Sequence, residues 1–387
     1  MTRLGKILSR CRLVAAAITT GMALGSSGVA QTINWDGDGA QGNFSWNENW
    51  YGNNQPSWGF GNNLVFNFKN GSQTSLYYDY GDWRSIGDII WETTWPVGVT
   101  FNGNGQGINF NQRIENRSYY TITIGSMNLS GGKNGASQIE LNPVNGDLTL
   151  NGNIYNDNNL RYKVYGANQK LLTINTALGG NTGVALDIEQ NSKVSITKAQ
   201  TMGASAAFNI KQGELWLSVA SALAGGSTIN LGQADANTAK LYLNGADDSH
   251  AVTVANTSGT KVLGTISASG TQTFSGNITL NGNVLLEATQ SGATVDFATG
   301  AISGNSGVTI TGTGTVKLSG NNSYTGGTTV SAGTLLLGNN DRLSDSGSVT
   351  VSGGTFNLGG FSDTVAAVTI SGGRAIVTGK QIGRAHV

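Results

Sequence analysis

Side chains that could carry out chemistry are few in this 387-residue sequence, and the most suggestive group surrounds one histidine. His250 follows Asp247 and Asp248, and an Asp–His pair can act in general acid–base catalysis. The group lies between two predicted strands, where polar loop residues are usual, so we predict a structural role. The other histidine, His386, is next to the end, and with a single cysteine no histidine–cysteine metal site is expected.

Two further motifs have a chemical interpretation and a simpler one. Gly304-Asn305-Ser306-Gly307 is similar to the nucleophile turn of secreted serine proteases, but a triad needs a base and only His250 is available. Asp36-Gly37-Asp38-Gly39 offers oxygen ligands for Ca²⁺ yet lacks the further acidic ligands of a calcium loop. Both motifs are also typical of tight turns. We therefore predict no catalytic residue, no metal site and no cofactor.

Tryptophan is concentrated near the beginning of the chain, where seven of the eight lie between residues 35 and 95. Exposed Trp and Tyr rings stack on sugars, so one interpretation is a glycan-binding patch formed by Trp46, Trp50, Tyr51 and Trp58. The alternative is a cap, in which large aromatic side chains cover the open end of a repetitive core. The sequence favours the cap.

Composition excludes several classes of protein. Charged residues make up 11%, less than half of the usual quarter, while 58 residues are Gly. No cluster of Lys and Arg lies beyond the first dozen residues, so we expect no nucleic-acid partner. Hydrophobic residues make up 38% and recur in a pattern, which argues against disorder.

The first thirty residues have the features of a signal peptide. Basic residues occupy positions 3, 6, 10 and 12, and residues 13–24 form an apolar segment too short to span a bilayer. Small residues precede Gln31, where we expect cleavage. Cys11 lies inside this segment, so the exported chain is expected to contain no disulfide.

The rest of the chain consists of short alternating segments rather than helical patterns. Residues 120–124 (YTITI) and 241–243 (LYL) are examples, each bounded by turn-forming residues. Residues 349–354 (VTVSGG) recur nineteen residues later as VTISGG, and residues 148–153 (LTLNGN) recur at 278–283 as ITLNGN. A period near twenty indicates one coil of a parallel β-helix, with Val, Ile and Leu inside and Gly and Asn at the corners.

Residues 312–373 resemble a known family, the autotransporter-associated β-strand repeat or passenger-associated transport repeat. The matching positions are Gly312, Gly314, Val316, Leu318, Gly320, Asn322, Tyr324, Gly326, Thr328, Val330, Gly333 and Leu335. The segment 35–66 is similar to the opening of many exported proteins with such repeats. The resemblance implies a right-handed β-helical passenger, displayed on or released from a Gram-negative-type bacterium. In that family the repeat aids export and folding and carries no catalytic residue, so its Gly, Asn, Tyr and Thr positions are expected to be structural.

The last seven residues, 381–387, depart from the preceding composition, and their codons can be those of a translated sequencing adapter. We expect the reading frame to be truncated near Lys380. The family's passengers are held by a translocator barrel or another C-terminal anchor. We expect that part to be missing from this sequence, because no series of ten-residue amphipathic strands follows the repeat.

The predicted fold is thus all-β: a right-handed parallel β-helix, or β-solenoid, with an aromatic-rich N-terminal cap. We divide the chain into a signal peptide (1–30), a Trp-rich β cap region (31–110), degenerate coils (111–311), repeat coils (312–380) and a non-native tail (381–387).

The expected function is adhesion or surface structure, without enzymatic activity, in an exported monomer on the cell surface or outside the cell. Surface glycans, or receptors on host or neighbouring cells, are the expected partners. The alternative is a carbohydrate-active β-helix, either lyase-like or glycan-binding. A lyase groove needs carboxylates and a basic residue on successive coils. We find no acidic pair at coil spacing beside an Arg or Lys, which weakens that alternative.

Overall fold

The computed structural model describes residues 31–376 with internal gaps. The predicted signal peptide and the C-terminal tail therefore lie outside the described residues and stay predictions. The gaps are 36–58, 60–61, 67–74, 79, 81–82, 93–97, 104–106, 133–135, 157–158, 167, 180–183, 201, 203–204, 224 and 234–236.

The described residues form short strands that stack in parallel into a solenoid, which confirms the predicted parallel β-helix. Its right-handedness stays a prediction. The strands are numbered in chain order and form four sheets, named face A to face D. Face A comprises β1 (Gln31–Trp35), β2 (Asn62–Phe66), β5 (Ile89–Trp91), β8 (Arg113–Asn116), β11 (Gln138–Pro143), β14 (Arg161–Tyr165), β16 (Ala185–Glu189), β18 (Ala207–Ile210), β20 (Thr228–Leu231), β22 (Ala251–Val254), β25 (Ile278–Leu280) and β28 (Ile302–Gly304).

Face B is the longest sheet and runs through both halves of the described chain. It comprises β3 (Ser75–Tyr78), β6 (Val99–Gly103), β9 (Ile122–Ile124), β12 (Leu148–Leu150), β15 (Leu171–Ile174), β17 (Ser192–Ile196), β19 (Gly213–Leu217), β21 (Ala239–Leu243), β23 (Lys261–Thr265), β26 (Val284–Ala288), β29 (Val308–Gly312), β31 (Thr328–Val330), β33 (Ser348–Val351) and β35 (Ala367–Ile370).

The third side of the coils is divided between two smaller sheets. Face C comprises β4 (Arg84–Ser85), β7 (Gly107–Asn109), β10 (Asn128–Gly131) and β13 (Ile154–Asn156). Face D comprises β24 (Ser269–Phe274), β27 (Gly292–Phe297), β30 (Thr315–Leu318), β32 (Thr334–Leu337), β34 (Thr355–Asn357) and β36 (Arg374–Ile376).

Coil length varies more than the predicted period of twenty. On face B, Val349 pairs with Val368, nineteen residues further on, whereas Ile122 pairs with Leu148, twenty-six residues further on. The two similar segments 148–153 and 278–283 lie on different faces, since Leu148 begins β12 on face B and Ile278 begins β25 on face A. The same strand-and-turn chemistry thus serves more than one side of the coil.

Alternating apolar side chains fill a continuous core along the solenoid axis. Identical or similar rings stack one coil apart: Phe66 and Trp91 have centroids 4.8 Å apart and planes at 7°, and Phe274 and Phe297 lie 5.2 Å apart at 8°. These distances match the spacing of hydrogen-bonded strands, so parallel pairing itself brings the rings into contact.

The aromatic residues of the predicted cap region divide between core and surface. Trp91 is fully buried within the coils, against Phe66 and Phe101, whereas Trp83 lies at the surface of face C. The side chains of the other five tryptophans of that region lie outside the description. Their role as a cap stays a prediction.

Face A ends at β28, and the later described coils replace its strands with loops 319–327, 338–347 and 358–366. Each loop buries apolar side chains against the core, among them Tyr324, Leu343 and Leu358. Within the part of the chain that is described, no helical segment has the length and apolarity needed to cross a bilayer.

Candidate functional site

The predicted glycan-binding residues Trp46, Trp50, Tyr51 and Trp58 lie outside the described residues, as does the Asp36–Gly39 turn. These two hypotheses therefore stay predictions. Among the described residues, no group of three or more His, Cys, Asp and Glu side chains is arranged to hold a metal ion.

The His250–Asp248 pair exists, but it is buried in the wall of the solenoid between β21 and β22. His250 Nδ1 lies 2.7 Å from Asp248 Oδ1, and the backbone N–H of His250 donates to Asp248 Oδ2 at 3.1 Å. Both side chains are buried, and Asp248 forms a parallel bridge with Phe274 of the next coil. The pair therefore stabilises a corner of the coil, and its burial leaves a substrate no access to it.

The Gly304–Gly307 motif forms the corner that follows β28. The backbone N–H of Gly307 donates to Asn283 Oδ1 at 2.8 Å, which ties the corner to the preceding coil. Gly326 of the following coil packs directly on Ser306, since a Cβ on Gly326 would lie 2.3 Å from the Ser306 carbonyl carbon. The described contacts of this motif are those of stacked corners.

Within the repeat segment, Tyr324 anchors the loop that replaces face A. Its ring is buried, and its hydroxyl lies 2.6 Å from the hydroxyl of Thr328, the first residue of β31. Burying a tyrosine requires a partner for its hydroxyl, and Thr328 provides that partner within the same coil. Tyr324 thus fixes the end of the loop to the beginning of the next face B strand.

Asn322 connects three successive coils. Its Oδ1 accepts from the backbone N–H of Ile302 at 2.9 Å, and its Nδ2 donates to the carbonyl of Arg342 at 2.9 Å. Asp363 continues this line in the next coil, where its Oδ2 accepts from the backbone N–H groups of Arg342 (2.7 Å) and Leu343 (3.0 Å). These side chains supply the hydrogen bonds that a face A strand would otherwise provide.

The glycines of the repeat lie at corners and close approaches. Gly312 ends β29 with φ of 88°, a left-handed conformation that favours glycine. A Cβ on Gly320 would lie 2.2 Å from the carbonyl oxygen of Gly300 in the coil below. Gly314, Gly326 and Gly333 likewise lie at corners between the repeat strands.

The outer side of face A carries a ladder that the sequence analysis missed. From β8 to β28, one outward residue of each face A strand pairs with the outward residue of the next strand, and we call this line of residues the outer ladder. Its members are Arg113, Glu140, Lys163, Asp187, Asn209, Asn230, Thr253, Thr279 and Ser303.

Asp187 is the centre of the charged part of this ladder. It is fully buried, and it accepts from Arg161 Nη1 at 2.6 Å, Lys211 Nζ at 2.9 Å and Asn209 Nδ2 at 2.7 Å. Burial alone would raise the pKa of Asp187, but the hydrogen bonds from Asn209, Arg161 and Lys211 outweigh it and hold the pKa below its ordinary value. Lys211 also contacts Glu189 at 2.8 Å.

A second ionic cluster lies nearer the N-terminus. Arg113 contacts Asp88 at 2.9 Å and Glu115 at 3.1 Å, and Arg117 contacts both Glu115 and Glu92. Burial tends to raise the pKa of Glu115, yet the hydrogen bond and charge of Arg117, with Arg113, lower it overall.

The Arg113 cluster corrects the statement that no acidic pair at coil spacing lies beside a basic residue, since Glu115 and Glu140 both lie within 4.0 Å of Arg113. Asp187 is twenty-six residues from Arg161 and twenty-four from Lys211, so chain distance hid contacts that the stacking creates. A pattern search for opposite charges 21–26 residues apart in alternating segments would have found them. Each cation described in the two clusters lies within 4.0 Å of a carboxylate, so each has an ionic partner.

The outer side of face B carries a mixed aromatic and charged group. Trp216 Nε1 donates to Glu214 Oε2 at 3.0 Å, and Lys240 contacts Glu214 at 3.2 Å. The Tyr242 hydroxyl donates to Glu287 Oε2 at 2.6 Å across two coils. Burial and the Glu287 carboxylate raise the pKa of Tyr242, so its hydroxyl stays protonated. This group bonds four coils together.

Face C carries two exposed aromatic rings beside a small pocket. Trp83 and Tyr155 have ring centroids 6.1 Å apart with planes at 66°. Together with Asn109 and Ser130 they line a pocket of about 210 Å³. In contrast to the paired charges of face A, the two rings present exposed aromatic surface, with Asn109 partly exposed and Ser130 buried beside them.

The fold and these surfaces define the class: a parallel β-solenoid with paired charges on its walls and a repeat segment of two-strand coils. The passenger-associated-transport-repeat family matches residues 308–337, which span β29 to β32. The chain is also similar to the adhesin BmaC autotransporter of Brucella suis biovar 1 (strain 1330), with 26% identity over 303 residues. That alignment covers 73% of this chain and 8% of the adhesin. No solved structure is a significant match. Residues 308–337 therefore carry a passenger-associated transport repeat, and most of the chain is similar to a segment of an autotransporter adhesin.

Proposed function

We propose that this protein is an exported, cell-surface passenger that serves adhesion and has no enzymatic activity. The observation that carries the proposal is the similarity of 73% of the chain to an autotransporter adhesin, together with the transport repeat at residues 308–337. Because the chain spans only 8% of that adhesin, adhesion by this protein is inferred from a segment and needs a direct test.

The architecture supports this function. A solenoid built from stacked coils presents long continuous side walls, which suit contact with another surface. Paired ions and side-chain hydrogen bonds between coils stiffen these walls, as the contacts of Asp187 and Asn322 illustrate. A stiff projecting wall holds its surface groups in fixed positions, which reduces the entropy lost on binding.

The test uses the full chain coupled to fluorescent beads. We expect saturable attachment to epithelial or bacterial cell layers, above that of albumin-coated beads and competed by free protein. Heat-denatured protein on identical beads is the matched control, since it retains composition but not the solenoid. Attachment no greater than that of albumin on every cell type would contradict the adhesive function.

The absence of enzymatic activity has its own test. A lyase requires a cation free to neutralise a uronate and a base free to remove its proton. In the described ionic clusters the cations already contact carboxylates, so we expect no activity. The measurement is ultraviolet absorbance of unsaturated uronate products during incubation with pectate, alginate and hyaluronate. A time-dependent rise that scales with protein concentration would overturn the expectation.

A further inference from the structure

Two exposed aromatic rings converge on the outer side of face C. The indole of Trp83 is 36% exposed and the ring of Tyr155 is 41% exposed, and their centroids are 6.1 Å apart. The planes meet at 66°, an edge-to-face contact, and both rings line the same small notch. Their spacing along the chain is seventy-two residues, so only the stacking of coils brings them together.

The sheet determines which side chains form the floor of this notch. Ser85 pairs with Asn109, Asn109 with Ser130, and Ser130 with Tyr155, so these outward residues lie on one line across four strands. Trp83 precedes this line by two positions and therefore points to the same side of the sheet. Asn109 and Ser130 thus lie on the two strands between β4, which follows Trp83, and β13, which carries Tyr155.

The chemistry of the pocket is aromatic, amide and hydroxyl. Trp83, Asn109, Ser130 and Tyr155 line a space of about 210 Å³, and none of these four side chains is charged. A carboxylate or phosphate ligand would find no cation among them. A neutral ligand with one apolar face and several hydroxyl groups complements this lining.

We propose that this pocket binds one neutral pyranose ring of a surface glycan. The C–H face of the sugar stacks on Trp83 or Tyr155, and its hydroxyl groups exchange hydrogen bonds with the Asn109 amide, while the buried Ser130 forms part of the floor. This inference rests on the adhesive function proposed above and names the chemical class of its ligand. It places a glycan site on the described surface of face C, and the predicted patch at Trp46, Trp50, Tyr51 and Trp58 stays a separate prediction.

The size of the pocket limits its affinity. A pocket below the usual 300–1,000 Å³ encloses a small ligand with few contacting atoms, which corresponds to a dissociation constant on the order of 1 mM. Many copies displayed on one cell surface would convert such weak contacts into firm attachment through effective concentration.

The experiment is saturation-transfer difference NMR on the full chain with methyl glycosides of glucose, galactose, mannose and N-acetylglucosamine. We expect ring C–H signals from at least one glycoside. Trp83→Ala and Tyr155→Ala should each weaken binding at least about fivefold, because each removes one stacking face. Trp83→Phe should retain part of the affinity. Thermal unfolding of each variant confirms that the solenoid is intact.

Tyr119→Ala is the matched control, because Tyr119 is 70% exposed and does not line the pocket. Its affinity should equal that of the unchanged protein. The proposal is overturned if no glycoside gives a signal, or if Trp83→Ala and Tyr155→Ala bind as Tyr119→Ala does. The proposal is also overturned if an apolar peptide occupies the pocket and no glycoside gives a signal.

The two proposals fail separately. If beads coated with the unchanged protein attach to cells while no glycoside binds, adhesion stands and the sugar site is wrong. If glycosides bind with the expected pattern of variants but beads do not attach, the sugar site stands and the adhesive function is wrong.

Discussion

The outer ladder of face A changes its chemistry half-way along the solenoid. From Arg113 to Asp187 it is charged, and from Asn209 to Ser303 it carries only amides and hydroxyls. Asn209 joins the two parts, since it donates to Asp187 at 2.7 Å and accepts from Asn230 at 2.8 Å. One structural position, repeated in nine successive strands of face A from β8 to β28, is thus stabilised in two different ways.

The charged part of this ladder can also be compared with the repeat coils that follow β28. We call these two parts of the solenoid the charged region and the repeat region, and they are held together in different ways. In the charged region, side chains from neighbouring coils form networks that partly exclude water, so these contacts depend on pH and salt. In the repeat region, coils shorten to 19–21 residues and a few buried groups such as Tyr324 and Asn322 replace a whole strand. The first region depends on electrostatics and the second on close packing.

The largest expected effect lies in the repeat region. Tyr324→Ala removes a buried ring and leaves a cavity, which should lower the free energy of unfolding of the surrounding coils by about 4 kcal/mol. Tyr324→Phe keeps the ring and should cost about 1 kcal/mol. Hydrogen exchange of residues 302–351, measured by mass spectrometry, checks both values. Equal protection in the two variants would show that the ring does not anchor the loop.

The next effect compares two positions of one ladder. Asp187→Ala removes the shared partner of Arg161, Lys211 and Asn209, and should cost about 3 kcal/mol. Thr253→Ala, at the equivalent position two strands after Asn209, is exposed and should change stability by no more than about 0.5 kcal/mol. Chemical denaturation measures the free energy of unfolding of both variants. Similar losses would remove the distinction between the charged and the uncharged part of the ladder.

The two regions should respond to acid with opposite sign. Burial raises the pKa of Asp363 to about 6, because its Oδ1 has no hydrogen-bond partner and Asp341 and Asp345 lie near. Folding therefore takes up a proton there, and lowering the pH from 7 to 5 should stabilise the repeat coils by about 1–2 kcal/mol. The pKa of Asp187 lies below its ordinary value, so its stabilisation is present above about pH 4 and is lost as the pH falls through its lowered folded-state pKa.

Hydrogen exchange corrected for the intrinsic exchange rate measures both responses: the gain in the repeat coils between pH 7 and 5, and the loss around Asp187 between about pH 4 and 2. Asp363→Asn should abolish the gain in the repeat coils and leave residues 113–217 unchanged. A loss of protection in the repeat coils at pH 5 would contradict the assigned sign.

The smallest effect is that of salt. Raising NaCl to 1 M shortens the screening length to about 3 Å and should reduce protection around the partly exposed Arg113 and Lys211 by about 0.5 kcal/mol. The repeat coils should keep their protection, since Tyr324 and Asn322 carry no charge. Equal changes in both regions would indicate a general effect of salt on the solenoid.

Much of the architecture follows from local sequence. Alternation of apolar residues predicts strands because successive side chains of a strand point to opposite sides, and recurrence near twenty residues predicts stacked coils. The repeat motif also locates the segment in which Tyr324 and its neighbours form the two-strand coils, and the family match at residues 308–337 agrees with it. These features depend only on residues close together in the chain.

The surfaces depend on contacts that the chain order does not reveal. The distance between paired residues of successive coils varies between 19 and 31 residues, so the partner of Asp187 or of Tyr155 cannot be counted from a fixed period. Parallel stacking decides it, because the inward apolar side chains fix the register and the outward residues follow. The sequence alone thus determined a stacked β-solenoid with a transport repeat, whereas only the tertiary structure brought Arg161 to Asp187 and Trp83 to Tyr155.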